Sequence, residues 1–412
     1  MNILLINHYA GSPAMGMEYR PYYLAQEWIK AGHNVTIVAA TFAHVRTIQP
    51  KTDEKFQEEV IDGITYLWVK TPEYHGNGLK RILNMFSFYR KVKSNAAFLA
   101  EKYHPDAVIA SSTYPMDNYA AHKIAQLAKA RHFYEVHDLW PLSPMELGGY
   151  KASHPFIKYL QKAEDFAYKH ADGIISMLPN TREYMQSRGL DLQKWHYIPN
   201  GINTNEWKDQ DQISEELKLK IESIRNNFEN IIAYTGSIGI ANALHSFAEA
   251  ATHFQNKQTA FVIVGKGPEK SNLQKRFSTV GNLFFIDPVA KQTIPDLLSG
   301  FDILYLGLQH QSLFRFGVSP NKLFDYMMAA KPVIQAIEAG NDLVSEAHCG
   351  ISIEPENPQA LVMAIEKMLS MNADQRQQMG DAGRKYVLEN HDYSILAIKF
   401  LDILKGNQNE ID

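Results

Sequence analysis

What most limits the folds open to this chain is a rhythm. Apolar runs of strand length alternate with longer amphipathic stretches, the pattern of strands and helices taking turns in a parallel α/β sheet. Runs of near-continuous apolar residues suit strands covered on both faces by helices. In the first half they fall at Ile3–Ile6, Val35–Ala39, Ile64–Val69, Ala107–Ala110, His132–Val136 and Gly173–Met177. A helical pattern over Arg20–Lys30 joins the first two, and Gly32 suits its end. After Trp195–Ile198 the turn Pro199-Asn-Gly201 and a polar stretch from Asn203 to Asn227 interrupt the pattern, with a helical portion near Ser214–Ile224. The rhythm then restarts. Strands are predicted at Ile231–Tyr234, Ala260–Val264, Leu283–Ile286, Ile303–Leu306 and Val333–Ala336, with helices at Ala243–Ala251, Pro358–Leu369, Ala373–Leu388 and Tyr393–Leu404. The reading is two α/β, Rossmann-like domains, 1–200 and 201–388, followed by a terminal helix and tail over 389–412. Asn407–Asp412 is expected to fray.

Length agrees, since 412 residues exceed one ordinary core. A net charge of −4 gives no basic bias toward nucleic acid. The single Cys349 leaves no internal disulfide and favours a reducing compartment. Met1–Asn7 reads as a first strand rather than a signal peptide. The expectation is a cytoplasmic, two-domain enzyme.

The segment Ser319-Pro-Asn-Lys-Leu-Phe-Asp-Tyr-Met-Met-Ala-Ala-Lys-Pro-Val333 carries the most chemistry. Pro320 fits a helix start, Ser319 could cap the free amides, and those amides with the helix dipole would attract an anion. Asn321 belongs to the same opening, and Lys322 adds a full positive charge. Asp325 follows one turn later, and Pro332 stops the helix before an apolar strand. Together these supply a diphosphate cradle and a hydroxyl acceptor, the needs of a nucleotide-sugar site. Two glycine turns follow strands in the same half, Gly236-Ser237-Ile-Gly239 and Gly265-Lys266-Gly267-Pro268. Glycines let backbone approach a phosphate closely; a plain strand-to-helix turn is the alternative for each, and Lys322 nearby tips the first toward phosphate. Lys270 sits where a dinucleotide fingerprint needs its third glycine.

The 319–333 segment resembles the donor-site motif of retaining glycosyltransferases of family 4, a GT-B group with two Rossmann-like domains facing a central cleft. It is most similar to a branch with Ser-Pro-x-Lys-Leu-Phe-Glu-Tyr-Met-Ala-x-Gly-Lys-Pro-Val, which works in bacterial O-antigen and capsule assembly. Asp325 replaces that branch's Glu and Ala330 its Gly, while Gly317 stands where the wider family has a first glutamate. The resemblance implies that the turns near Gly236 and Gly265 meet the donor and that the segment around Val289 meets its base, which makes uridine the expected nucleotide. Many family members hold the diphosphate with an Arg and a Lys at places that here are Ser237 and Asn242. Lys322, with Arg315, is then expected to neutralise the leaving group, unless backbone amides carry most of the donor charge, and Asp325 is expected on the ribose hydroxyls. It further implies that Tyr393–Leu404 crosses back onto the first domain.

In that first domain Tyr134-Glu-Val-His137-Asp138-Leu-Trp140-Pro follows a strand, at the sheet edge where open α/β sheets bind ligands. His137 could bond the donor sugar or orient an acceptor hydroxyl, and Asp138 could fix its tautomer; a capped helix start around Asp138 is the plainer alternative. Gly16, Met17, Glu18 and Arg20 lie where the family's acceptor-side loop falls, and serve equally well as helix-opening residues. Leu79–Lys93 is basic, has no acidic residue and carries Ile82, Leu83, Met85, Phe86 and Tyr89. It could lie on the anionic cytoplasmic face of an inner membrane or pack a core with a basic outer face. Asp209-Gln-Asp211 is read as solvated charge, and no metal or other cofactor is expected.

The implied activity is a retaining transfer from a nucleotide diphosphate sugar, with no metal requirement, onto a glycan or lipid-linked acceptor; an N-acetylated aminosugar fits the branch. A GT-B nucleotide-sugar epimerase and a non-catalytic nucleotide-sugar-binding subunit of a glycan assembly complex remain as alternatives.

Overall fold

The computed structural model describes residues 1–16, 19–76, 78–208, 211–255 and 258–406. Met17, Glu18, Asp209 and the tail from Asn407, each singled out above, lie outside the described residues. The chain divides into two compact units, Met1–Asn200 together with the chain from Tyr393, and Gly201–Asp392.

The first unit holds an eight-stranded sheet of β1 (Asn2–Ile6), β2 (Asn34–Ala40), β3 (Phe56–Ile61), β4 (Ile64–Val69), β5 (Ala107–Ala110), β6 (Arg131–Val136), β7 (Gly173–Ser176) and β8 (Trp195–Tyr197), in the order β3-β4-β2-β1-β5-β6-β7-β8. Neighbours pair in parallel except β3, which runs antiparallel to β4. This edge strand is absent from the sequence reading because Gln57, Glu58, Glu59 and Val60 all face solvent and form no apolar run. A hairpin signal was nonetheless available in Asp62-Gly63, whose φ values of 50° and 83° suit a tight turn.

The terminal helix Tyr393–Lys405 belongs to this unit's core. Leu396 and Phe400 are fully buried, Trp28 meets Phe400 edge-on at 5.2 Å, and the Trp28 indole N–H donates to the Ala397 carbonyl at 3.2 Å. Arg131 closes the helix by donating to the Ile403 and Leu404 carbonyls. Each such large apolar side chain taken from water contributes about 1.5–3 kcal/mol, which is what holds a distant segment on the sheet.

The second unit holds β9 (Asn230–Thr235), β10 (Thr259–Val264), β11 (Leu283–Ile286), β12 (Ile303–Gly307), β13 (Val333–Ala336) and β14 (Gly350–Ile353), in the order β11-β10-β9-β12-β13-β14. All its pairings are parallel. This unit runs on to Asp392, because the Ile202 N–H donates to the His391 carbonyl at 2.8 Å and the His391 ring stacks on Phe324 at 4.4 Å. The helix Asn321–Met328 is set against the helix Ala373–Asn390 at very short range: a Cβ on Gly380 would come within 2.0 Å of the Ala330 carbonyl oxygen. Ala330 itself has φ 52°, a left-handed conformation better suited to the glycine of the resembling branch.

Candidate active site

Among the parallel strands, order reverses at one place in each sheet. In the second unit it does so at β9, flanked by β10 and β12, and the carboxyl-end loops around such a switch point form a ligand crevice. Gly236 opens the loop after β9 and Gly265 the loop after β10. The two turns are laced together, Gly236 N–H to the Val264 carbonyl at 2.9 Å and Ile238 N–H to the Lys266 carbonyl at 2.8 Å. A Cβ on Gly265 would fall 1.8 Å from the Gly236 carbonyl oxygen, and one on Gly267 2.2 Å from that of Ile238. Close packing of loop on loop therefore accounts for Gly265 and Gly267 without a ligand. Gly236 is different. It is exposed, has φ 138°, and a Cβ there would sit 3.1 Å from the Lys322 ammonium nitrogen.

Lys322 reaches this turn from the helix Asn321–Met328. The helix is pinned to β9 by Tyr326, whose hydroxyl accepts from the Thr235 N–H at 2.9 Å. The Lys322 ammonium donates to the Tyr234 hydroxyl at 2.7 Å and to Asn242 Oδ1 at 3.0 Å, and stands 4.4 Å from the centre of the Tyr234 ring. Among the described residues no carboxylate pairs with it, and burial pushes its pKa down from 10.5 to about 8. Asn242, noted in the sequence only as an uncharged replacement, and Tyr234, not singled out at all, are the groups that aim this cation.

Pro320 is the N-cap rather than the first helical residue, and Ser319 stands one residue before it. A proline has no side-chain acceptor, so the N-cap residue itself offers none to the first-turn amides, which lie beside exposed Asn321. Asp325 does not pair with Lys322. It is half-buried and makes no side-chain hydrogen bond among the described residues. Burial raises its carboxyl to about 6, with Lys291 pulling it down and Glu206 pushing it up. Lys291 and Glu206 form an ion pair at 2.9 Å. A cavity of about 270 Å³ is lined by Thr235, Gly236, Ser237, Gly265, Lys266 and Val289, among others. Lys266 and Pro268 are exposed, Gly239 is half-buried at the start of the following turn, and Arg315 is exposed with one arm on the Ser312 carbonyl at 2.6 Å.

In the first unit the order reverses at β1, between β2 and β5. Asn7 follows β1, Ser111 follows β5 and His137 follows β6, and these three loops meet. His137 Nε2 lies 2.9 Å from the Ser111 hydroxyl and 3.1 Å from Glu135 Oε2. Glu135 is fully buried, accepting from Ser111 Oγ at 2.6 Å and from the Arg20 Nε–H at 2.9 Å. Burial pushes this carboxyl up, but Arg20, helped by His137 and Ser111, outweighs it and holds it at about 2.

Two sequence expectations are corrected here. Arg20 does not face an acceptor: it is 4 % exposed, and its three nitrogens are spent on Glu135 and the Pro199 and Ile198 carbonyls. Asp138 does not fix the His137 tautomer, because its carboxylate accepts from Ser143 Oγ and, at 3.2 Å, from the Trp140 indole, stabilising its own turn. Glu135, the missed residue, takes that place; its signal was a lone carboxylate in the run Phe133-Tyr-Glu-Val136. Gly16, with φ 103°, packs against Thr47, whose N–H donates to the Met15 carbonyl at 2.8 Å.

The helix Leu79–Ser94 buries Met85, Phe88, Tyr89 and Val92, so its inner face is core. Leu79 and Leu83 project outward, 78 % and 63 % exposed. An opening of about 1290 Å³ in this unit, lined among others by Thr41, Gln49, Lys70 and Phe98, contains none of the candidate residues. Among the described residues no cluster of three or more His, Cys, Asp or Glu is arranged to hold a metal, and no helix is long and apolar enough to cross a membrane.

Two Rossmann-like units in one chain, each with its own switch-point crevice, fit the GT-B fold. Comparison with known proteins agrees: residues 15–206 match the family Glycosyltransferase Family 4 and residues 229–371 the family Glycosyl transferases group 1. The chain is a glycosyltransferase of this GT-B type. It is 22 % identical over 342 residues, 78 % of each chain, to a Pseudomonas aeruginosa protein described as "Probable glycosyltransferase WbjE". Similar folds occur in Anabaena Alr3699/HepE in complex with UDP and glucose (TM-score 0.66, 15 % identity, 98 % of this chain and 99 % of that one). WaaG, a glycosyltransferase involved in lipopolysaccharide biosynthesis, is alike to the same degree (TM-score 0.66, 16 % identity, 98 % and 100 %).

Proposed function

We propose that this glycosyltransferase is a retaining enzyme that takes its sugar from a uridine diphosphate donor and passes it to a glycan or lipid-linked acceptor during bacterial surface polysaccharide synthesis. The observation that carries the proposal is Lys322, a half-buried ammonium held by neutral partners against an exposed glycine turn, at the start of the helix Asn321–Met328. Such a cation lacks a counter-ion, and a diphosphate would supply one. Asp325, with no side-chain hydrogen bond among the described residues, is suited to a ribose diol. The cavity by Val289 is suited to the base. HepE, alike in fold, is described in complex with UDP and glucose, which favours the uridine reading.

In this reading the bond from the anomeric carbon to the diphosphate oxygen breaks, and its electron pair stays on the diphosphate. Lys322 and the amides of the helical turn that opens at Asn321 stabilise that charge. The acceptor oxygen bonds the anomeric carbon from the same face, and its proton passes to a phosphate oxygen. The positive charge comes from the protein, so no metal is called on. An N-acetylated aminosugar is the favoured donor sugar. The outward Leu79 and Leu83, with Lys80 and Arg90, would let the helix Leu79–Ser94 rest on an anionic bilayer carrying a lipid-linked acceptor.

A thermal-unfolding panel with UDP, GDP and ADP, with magnesium or EDTA, tests the donor. A ligand at a hundred times its Kd stabilises by about 2.7 kcal/mol, so binding is visible. A UDP-selective shift that survives EDTA is expected; no shift with any nucleotide contradicts the proposal.

A further inference from the structure

The hydrogen bonds around Glu135 decide which nitrogen of His137 carries the proton. Ser111 has one hydroxyl proton, and its 2.6 Å contact with Glu135 Oε2 uses it. Ser111 Oγ also accepts from Asn7 Nδ2 at 3.3 Å. What faces His137 Nε2 is thus a carboxylate oxygen and a hydroxyl oxygen with no proton to give. Only an N–H at Nε2 is compatible with both, and it is shared between them. Nδ1 makes no hydrogen bond among the described residues.

The charge that imposes this arrangement is itself locked. Glu135 is fully buried, and a buried carboxylate without a partner would take up a proton and lose its hold on the imidazole. Arg20 prevents that, and the carbonyls of Pro199 and Ile198, just beyond β8, fix Arg20 in turn. The ring thus meets Glu135 of β6 and Ser111 after β5, and behind these stand Arg20, which donates to Glu135, and Asn7 after β1, which donates to Ser111. Asp138, next in the chain, is turned away onto Trp140 and Ser143.

We infer that Glu135 is a positioning residue that holds His137 in the Nε2–H tautomer, so that Nδ1 is presented as a hydrogen-bond acceptor to a sugar hydroxyl at the β1–β5 switch point. This rests on the reading of the first unit's crevice as a sugar site; the tautomer itself does not. A merely structural Arg20–Glu135 pair would stabilise the fold and leave the imidazole indifferent.

Full-length protein carrying ¹⁵N-labelled histidine gives the test. Long-range ¹H–¹⁵N spectra, with His137 assigned by its loss in His137→Gln, should show a protonated Nε2 and an unprotonated Nδ1 near neutral pH. In Glu135→Gln, which keeps the volume but removes the charge, the signals should move to a tautomer mixture or to Nδ1–H. Ser111→Ala should shift them less. An Nδ1–H tautomer in the wild type, or a pattern unchanged in Glu135→Gln, overturns the inference. UDP binding, measured on the same samples, should be unaltered by Glu135→Gln; failure of UDP to bind even the wild type would sink the donor reading while leaving the tautomer result standing.

Discussion

The two crevices handle a buried charge in opposite ways. In the first unit Glu135 is met by Arg20 at 2.9 Å, and the pair is neutral before any ligand arrives. In the second, Lys322 is held by a tyrosine hydroxyl and an amide oxygen, and its charge is left uncompensated. A compensated charge can only orient its neighbours, whereas an uncompensated one is poised for an anion. Position in the fold does not separate the two sites, since both lie at a strand-order reversal. The partners do.

Turnover should break the comparison most visibly. Lys322→Met removes charge stabilisation at the leaving group, and losing one such group typically slows an enzyme by about 10²–10³-fold. Initial rates of nucleotide release with crude lipid-linked acceptor would measure it. Wild-type-like rates would remove Lys322 from the chemistry.

Stability should sharpen it. Glu135→Ala strands the Arg20 guanidinium in a dry site, and breaking a buried pair costs about 3–5 kcal/mol. Lys322→Met instead relieves a desolvated cation, and urea unfolding should show it unchanged or more stable than wild type. Equal losses in the two variants would mean that the sites do not differ as described.

Much of the architecture was legible because it rests on local pattern. Ala107–Ala110, Leu283–Ile286 and Val333–Ala336 are strands whose bounds match the apolar runs. β3 and β14 were not, being edge strands without a fully buried face: every β14 residue is only half-buried. Of the site, Lys322 and Gly236 could be read from turns and helix starts. The roles of Arg20, Glu135 and Asp138 could not, because they depend on pairing between side chains 115 residues apart in one case and on a local turn in the other. Sequence spacing placed Asp138 nearest His137 in the chain, but strand geometry turned Glu135 toward it.

The most direct measurement is calorimetric UDP affinity from pH 7 to pH 10, for wild type and Lys322→Met. The diphosphate binds the ammonium form, and in the free protein that form is lost as pH rises through about 8. Wild-type affinity should hold near pH 7 and then fall by up to about tenfold per pH unit above 8, with proton uptake on binding. Lys322→Met should bind more weakly and lose this alkaline limb. An affinity independent of pH in the wild type, or the same limb in both proteins, would contradict a donor site built on Lys322.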